Sequence, residues 1–150
     1  VAVRAVDEHL VAGIGVHGCH QALLDADGFD DAAVEHVYSD GLLNVMEAPE
    51  FAESSRVRNV FTALEGRGYL GNLVHEVVQG GQVRLFIGSE NVPVEMHGVS
   101  LILAPYGVPG QALGVVGVLG PTRMPYPRAV GSVQFVANLL SELVTRFHRA

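Results

Sequence analysis

Lysine is absent. All nine cationic residues are arginines, against 16 acidic residues, for a formal net charge of −7. Binding to nucleic acid needs Lys or Arg to release counterions from phosphates, and no segment here concentrates enough of them. The nearest pair, Arg56 and Arg58, is preceded by Glu50 and Glu53. DNA binding by this chain alone is therefore disfavoured. Charge of either sign is scarce: 17% of residues are charged, against about 25% in ordinary domains. With 49% hydrophobic residues the composition excludes a disordered chain, and it suggests that a partner covers part of the apolar surface. The single cysteine, Cys19, excludes an internal disulfide and fits a reducing, cytoplasmic setting. Arg4, Asp7 and Glu8 interrupt any early apolar run, so no signal peptide is legible. No apolar stretch approaches the ~20 residues that span a bilayer, and no membrane partner is expected. The chain opens on Val rather than Met, as a fragment or processed chain would.

What is present is enough for one compact domain: 150 residues, without solenoid repeats or low-complexity tracts. Residues 1–12 mix apolar and charged positions in a helical manner, and Gly13, Gly15 and Gly18 then break the pattern. A short helix is expected over 19–26 and a loop from Asp25 to Asp31. Val37-Tyr38 is a short strand candidate, and Leu42 to Glu47 a helical turn stopped before Pro49. Val57, Val60, Phe61 and Leu64 repeat at helical spacing over 54–65, with Gly66 and Gly68 ending the element. Leu70, Leu73, Val74, Val77 and Val78 predict a second helix, closed by Gly80-Gly81.

The period then changes. Val83 to Ile87, Val99 to Ala104 and Ala112 to Leu119 read as three strands, the last two joined through Gly107 to Gly110. Tyr126, Val130, Val133, Ala137, Leu140, Val144 and Phe147 form one stripe of a long terminal helix, with Arg146, His148 and Arg149 at its C-terminus. Phe135 and Leu139 lie off that stripe. Such a helix is buried on two sides, by a deep core or by a second copy of the chain. Helices, a run of strands and a long helix make an α+β layout, a mainly antiparallel sheet packed by helices.

Few residues invite chemistry. His17, Cys19 and His20 are zinc-ligand types, but three ligands within four positions rarely fit one tetrahedral ion and no second cluster supplies a fourth. Cys19 and His20 are adjacent and lack an orienting third group, which argues against a nucleophilic pair. Asp25, Asp27, Asp30 and Asp31 lack the ligand order of a calcium loop. Gly114, Gly117 and Gly120 sit inside a strand with no following lysine, so they mark close packing rather than a phosphate loop. The residues point to no catalytic site, metal or cofactor. Two further polar clusters remain: Gly88-Ser89-Glu90-Asn91 after a strand, and Gly120 to Tyr126 before the last helix. In the second, Pro125 and Pro127 favour a helix start, and Arg123 offers donors to a carboxylate such as Glu90.

These clusters, in order, resemble the heat-inducible transcription repressor family, HrcA. Tyr38-Ser-Asp-Gly41-Leu-Leu-Asn44 followed by Pro49-Glu50-Phe51 is similar to its central signature. Ile87-Gly88-Ser-Glu90-Asn91 is similar to the next. Ala104-Pro-Tyr106 and then Gly117-Val-Leu-Gly120-Pro121-Thr122-Arg123-Met124-Pro-Tyr126 are similar to the last. The resemblance covers roughly residues 35 to 150. It implies a single GAF-like regulatory domain over 1–150, with residues 1–30 a remnant of an inserted dimerisation segment. It implies structural or regulatory roles for Gly41, Asn44, Pro49, Glu50, Phe51, Gly88, Glu90, Asn91, Gly120, Pro121, Thr122, Arg123, Met124 and Tyr126. It also implies a homodimer, modulation by the GroEL chaperonin, and repression of chaperone operons. Operator DNA would be reached only through an N-terminal winged helix that this sequence lacks. The competing reading is a GAF-type small-molecule sensor.

Overall fold

The computed structural model describes residues 12–17, 36–40, 49, 53–65, 67–108 and 110–149. Within them, five strands form one fully antiparallel sheet. β1 (Ala12–His17), β2 (His36–Asp40), β3 (Arg84–Ile87), β4 (Val99–Val108) and β5 (Gln111–Pro121) lie in the order β2-β1-β5-β4-β3. Three helices flank it: α1 (Ser54–Glu65), α2 (Arg67–Gly80) and α3 (Tyr126–Arg149). The layout is the expected α+β one.

Alternation along β4 and β5 separates two cores, because successive side chains of a strand point to opposite faces. Val99, Leu101 and Leu103 join Val115 and Leu119 in packing against Val57, Val60 and Leu64 of α1 and Leu70, Leu73, Val74 and Val77 of α2. Ile102, Ala104, Val116 and Val118 face the other way, onto Ala129, Val133, Ala137 and Leu140 of α3. Both faces of the central strands are thus covered, which is why Leu101-Ile102-Leu103-Ala104 is apolar without a break. Each such side chain stabilises the fold by roughly 1.5–3 kcal/mol on burial.

Local signals explain most boundaries. α2 ends where Gly81 takes a left-handed φ of +63° and its amide reaches Val77 O and Val78 O, a glycine cap. Arg84 Nη2 meets Glu76 Oε1 at 2.7 Å and ties β3 to α2. Val108 pairs with Gln111, so the β4–β5 hairpin turns in two residues, tighter than the Gly107–Gly110 connection expected. Gly110 has φ +80°, as such turns require. Gly107 belongs instead to β4, beside a register shift between Tyr106 and Gly107. Gly68 likewise does not end a helix; it lies in the first turn of α2.

The largest departure is β1. The glycines at 13 and 15 were expected to break regular structure, yet Ala12–His17 pairs on both sides, with β2 and with β5. Glycine weakens a strand signal where a backbone can still take its place in a sheet. The helix expected over 1–12, the short helix over 19–26 and the acidic loop from Asp25 to Asp31 otherwise lie outside the described residues. So does the helical turn expected from Leu42 to Glu47.

Gly117 shows what a strand glycine does here. It pairs with Leu103 on β4 and Ile14 on β1. A Cβ at this position would overlap the Ile102 carbonyl oxygen and Leu103 Cδ2. The Leu103 side chain occupies the space that glycine leaves. Gly117→Ala is expected to destabilise the fold by about 1–3 kcal/mol, the usual cost of overpacking, read as a lower midpoint in urea unfolding. Unchanged stability would show that the strand shifts freely at this point.

Candidate functional site

The two polar clusters meet at one end of the sheet. β3 ends at Ile87, and Gly88–Glu90 forms a single 3-10 turn. A second such turn, Val94–Met96, precedes β4. Between them stands Asn91, 2% exposed. Its Nδ2 lies 2.9 Å from Gly88 O, 3.2 Å from Val99 O, 3.3 Å from Met96 O and 3.4 Å from Phe86 O. Two amide hydrogens are therefore shared among four carbonyls. Its Oδ1 accepts from Tyr69 Oη at 2.8 Å, and its backbone carbonyl accepts from His97 Nε2 at 2.9 Å. One side chain thus satisfies the end of β3, the connecting loop, the start of β4 and α2.

The neighbouring motif residues serve the same turn. Glu90 Oε2 accepts from the Ile87 amide at 2.8 Å, a side chain answering a backbone donor at a turn. Gly88 has φ +56°, and a Cβ there would sit 3.4 Å from both His97 O and Thr122 Cγ2. That contact brings the second cluster alongside the first. Across the sheet, Ser100 pairs with Ile87 on one side and Gly120 on the other. Ser100 is fully buried, and its Oγ lies 3.0 Å from Tyr126 Oη. Tyr126 Oη also donates to the Thr122 carbonyl. Met124 is buried under α3, and its amide closes a turn onto Pro121 O at 3.0 Å. Pro121 is buried at the end of β5, while Thr122 and Arg123 are exposed.

The electrostatics are quiet. Burial pushes the Tyr69 phenol up to about 12, because the anion would lose water and gain nothing in return. The arrangement contains no nucleophile paired with a base. It is a hydrogen-bonded knot that fixes four segments.

The remaining residues singled out in the sequence fall elsewhere. His17 ends β1, where it pairs with His36 of β2; Cys19 and His20 lie outside the described residues. Among the described residues no group of three or more His, Cys, Asp and Glu gathers as a metal site. Gly41, Asn44, Glu50 and Phe51 are likewise outside the described residues, and Pro49 is exposed. Arg56 pairs with exposed Glu53 at 3.6 Å. No described helix is long and apolar enough to cross a membrane. Sequence reasoning missed Tyr69 and Ser100, whose partners lie in distant segments of the chain, and His97, which reaches back across its own loop to the Asn91 carbonyl.

Comparison with known proteins follows the geometry. Two solved structures share the fold. One, described only as a hypothetical protein, superposes with a TM-score of 0.66 at 21% identity, over 75% of this chain and 33% of its own. The other, a complex of Escherichia coli DhaR(N) with DhaL, has a TM-score of 0.57 at 11% identity, over 96% and 42% of the two chains. The class is therefore an α+β domain of this antiparallel architecture. Sequence narrows it. The model of the HrcA protein C-terminal domain matches residues 11–130. The heat-inducible transcription repressor HrcA of Herpetosiphon aurantiacus is 41% identical over 116 residues, covering 77% of this chain and 33% of that protein. Its namesake in Chloroflexus aggregans is 40% identical over 131 residues, covering 80% and 35%. The chain belongs to the HrcA family and spans about a third of the length of the curated relatives it matches.

Two measurements test the knot. Asn91→Ala is expected to leave buried carbonyls without donors and to destabilise by about 3 kcal/mol, seen by chemical unfolding. An effect below a few tenths would mean that water replaces the amide. Tyr69 has a folded pKa of about 12 against 10.0. A group that prefers its neutral form when folded contributes stability below pH 10 and loses it as pH rises toward 12. Tyr69→Phe should flatten that loss of stability between pH 10 and 12, after losing about 1 kcal/mol at neutral pH.

Proposed function

We propose that this chain is the regulatory, dimerising part of a bacterial transcription repressor of heat-shock operons, acting as a single domain over residues 1–150 and carrying no catalytic site. Membership of the HrcA family supports the reading, and the observation that carries it is the knot around Asn91. Within the family signatures Ile87 to Asn91 and Gly120 to Tyr126, the side chains of Glu90, Asn91 and Tyr126 spend their polar atoms on holding backbone segments together. A site built for turnover would aim such groups into space that a substrate can reach.

The mechanism is indirect. A dimer sets the spacing of two winged helices, supplied by a preceding part of the parent protein, to match two operator half-sites. This chain, at −7, does not hold the duplex itself. The GroEL chaperonin raises the fraction of repressor that is folded and competent, and apparent operator affinity follows that fraction. Heat diverts the chaperonin to unfolded proteins and the operons are released. The setting is the bacterial cytoplasm.

Fluorescence anisotropy on an inverted-repeat operator duplex separates the outcomes. A longer form carrying the winged helix is expected to bind, and more tightly with chaperonin present, whereas the 150-residue chain does not bind. Absence of binding by both folded proteins at low salt would overturn the reading.

A further inference from the structure

The sheet has an open edge, and one carboxylate sits on it. Among the described residues, β3 has β4 on one side and no strand on the other. An antiparallel strand turns the N–H and C=O of successive residues alternately toward a neighbour and away from it. Ile87 stands opposite Ser100 in register, yet its amide donates to Glu90 Oε2 at 2.8 Å. The Ile87 amide therefore points away from β4, and by the same alternation so does that of Leu85. β3 is four residues long, so these two are its outward donors. Glu90 holds one of them.

The surroundings make this edge hazardous. Leu85 and Ile87 are each 37% exposed, and Val92 and Val94 in the following loop are 86% and 75% exposed. Phe86 between the first two is buried against α1 and α2, so Leu85 and Ile87 lie on the opposite face of the sheet, the one that carries α3. Outward donors beside exposed apolar side chains are a template for an extended segment of another chain. Proteins close such edges by keeping them short and by placing charge on them.

We propose that Glu90 is the guard of this edge. Its carboxylate occupies the bonding position at Ile87 that an added strand would need, and so keeps extended segments off β3. An added strand must bring one carbonyl oxygen to the Leu85 amide and another to the Ile87 amide. At Ile87 it meets an oxygen already in place, whose negative charge repels its own carbonyl dipole. The same bond closes the Gly88–Glu90 turn, a local duty that needs no open edge. What sets this cap apart is the amide it covers, one of only two on β3 that face outward. The guard depends on no operator and no partner protein.

The critical concentration for thioflavin-T-positive assembly of the 150-residue chain, measured beside the urea midpoint of each variant, tests the guard. Glu90→Ala is expected to lower that concentration about tenfold, the effect of one hydrogen bond released to an incoming strand. Glu90→Gln keeps an acceptor of the same reach and should retain most of the protection. Leu85→Lys, added to Glu90→Ala, charges the bare edge and should restore the concentration of the unmodified chain. Tyr69→Phe loosens the fold from α2 without touching the outer edge and should not lower it. Should Glu90→Ala not fold, Glu90→Ser keeps a turn-forming residue too short to reach Ile87, and the same drop is expected. A lower urea midpoint with an unchanged critical concentration leaves Glu90 a turn cap only and overturns the proposal. Glu90→Gln assembling as readily as Glu90→Ala overturns it too, because the bonding position would still be filled. Equal assembly by Tyr69→Phe, or no rescue by Leu85→Lys, also overturns it, since assembly would then follow instability or start elsewhere.

Discussion

The fold depends on one buried amide. Asn91 stands where β3 must give way to a loop and β4 must begin, and its side-chain amide lies within hydrogen-bond reach of four backbone carbonyls, those of Phe86, Gly88, Met96 and Val99. Burying such groups unpaired costs more than any single apolar contact returns. A planar NH2 with two hydrogens, held in place by Tyr69 on its oxygen, answers them together. No apolar side chain of the same size offers donors, and a carboxylate would offer only acceptors. The apolar layers on either side of the sheet are then free to pack to density, because the polar problem at its end has been removed.

That constraint also explains why so many motif residues look chemically idle. Glu90 caps the Ile87 amide, Gly88 takes the backbone angle that a side chain resists, and Tyr126 spans Ser100 and Thr122. These are residues of catalytic type used for architecture. Under the proposed mechanism, in which output follows the fraction of molecules correctly folded, the folding determinants and the functional residues are the same set.

Much of this was legible in the chain. Val57, Val60 and Leu64 announced α1, Leu70 to Val78 announced α2, and the stripe from Val130 to Leu140 announced α3, because a 3.6-residue period survives in any sequence that buries one helix face. The uninterrupted run from Leu101 to Ala104 marked a strand but hid the fact that two separate cores share it. β1 was hidden more deeply. Its alternate glycines erase the β-branched signal, and its place in the sheet is set by partners a hundred residues away on β5. Asn91 was visible as part of a signature. Its reason was not, since Tyr69 and Val99 reach it only after the chain has folded.

Two hydroxyl contacts pin α3 to β4, one at the helix start and one two-thirds of the way along it: Ser100 with Tyr126, and Gly107 with Ser141. Between them, seven strand steps at about 3.3 Å run beside fifteen helical steps at 1.5 Å, and both cover roughly 23 Å. Helix and strand act as two rulers with matched end marks. Substitution leaves the marks in place, but one inserted or deleted residue between Tyr126 and Ser141 would rotate everything beyond it by 100° and detach one end. Insertions and deletions are therefore expected to be tolerated at the hairpin tip and in the helix beyond Ser141, where neither ruler is read.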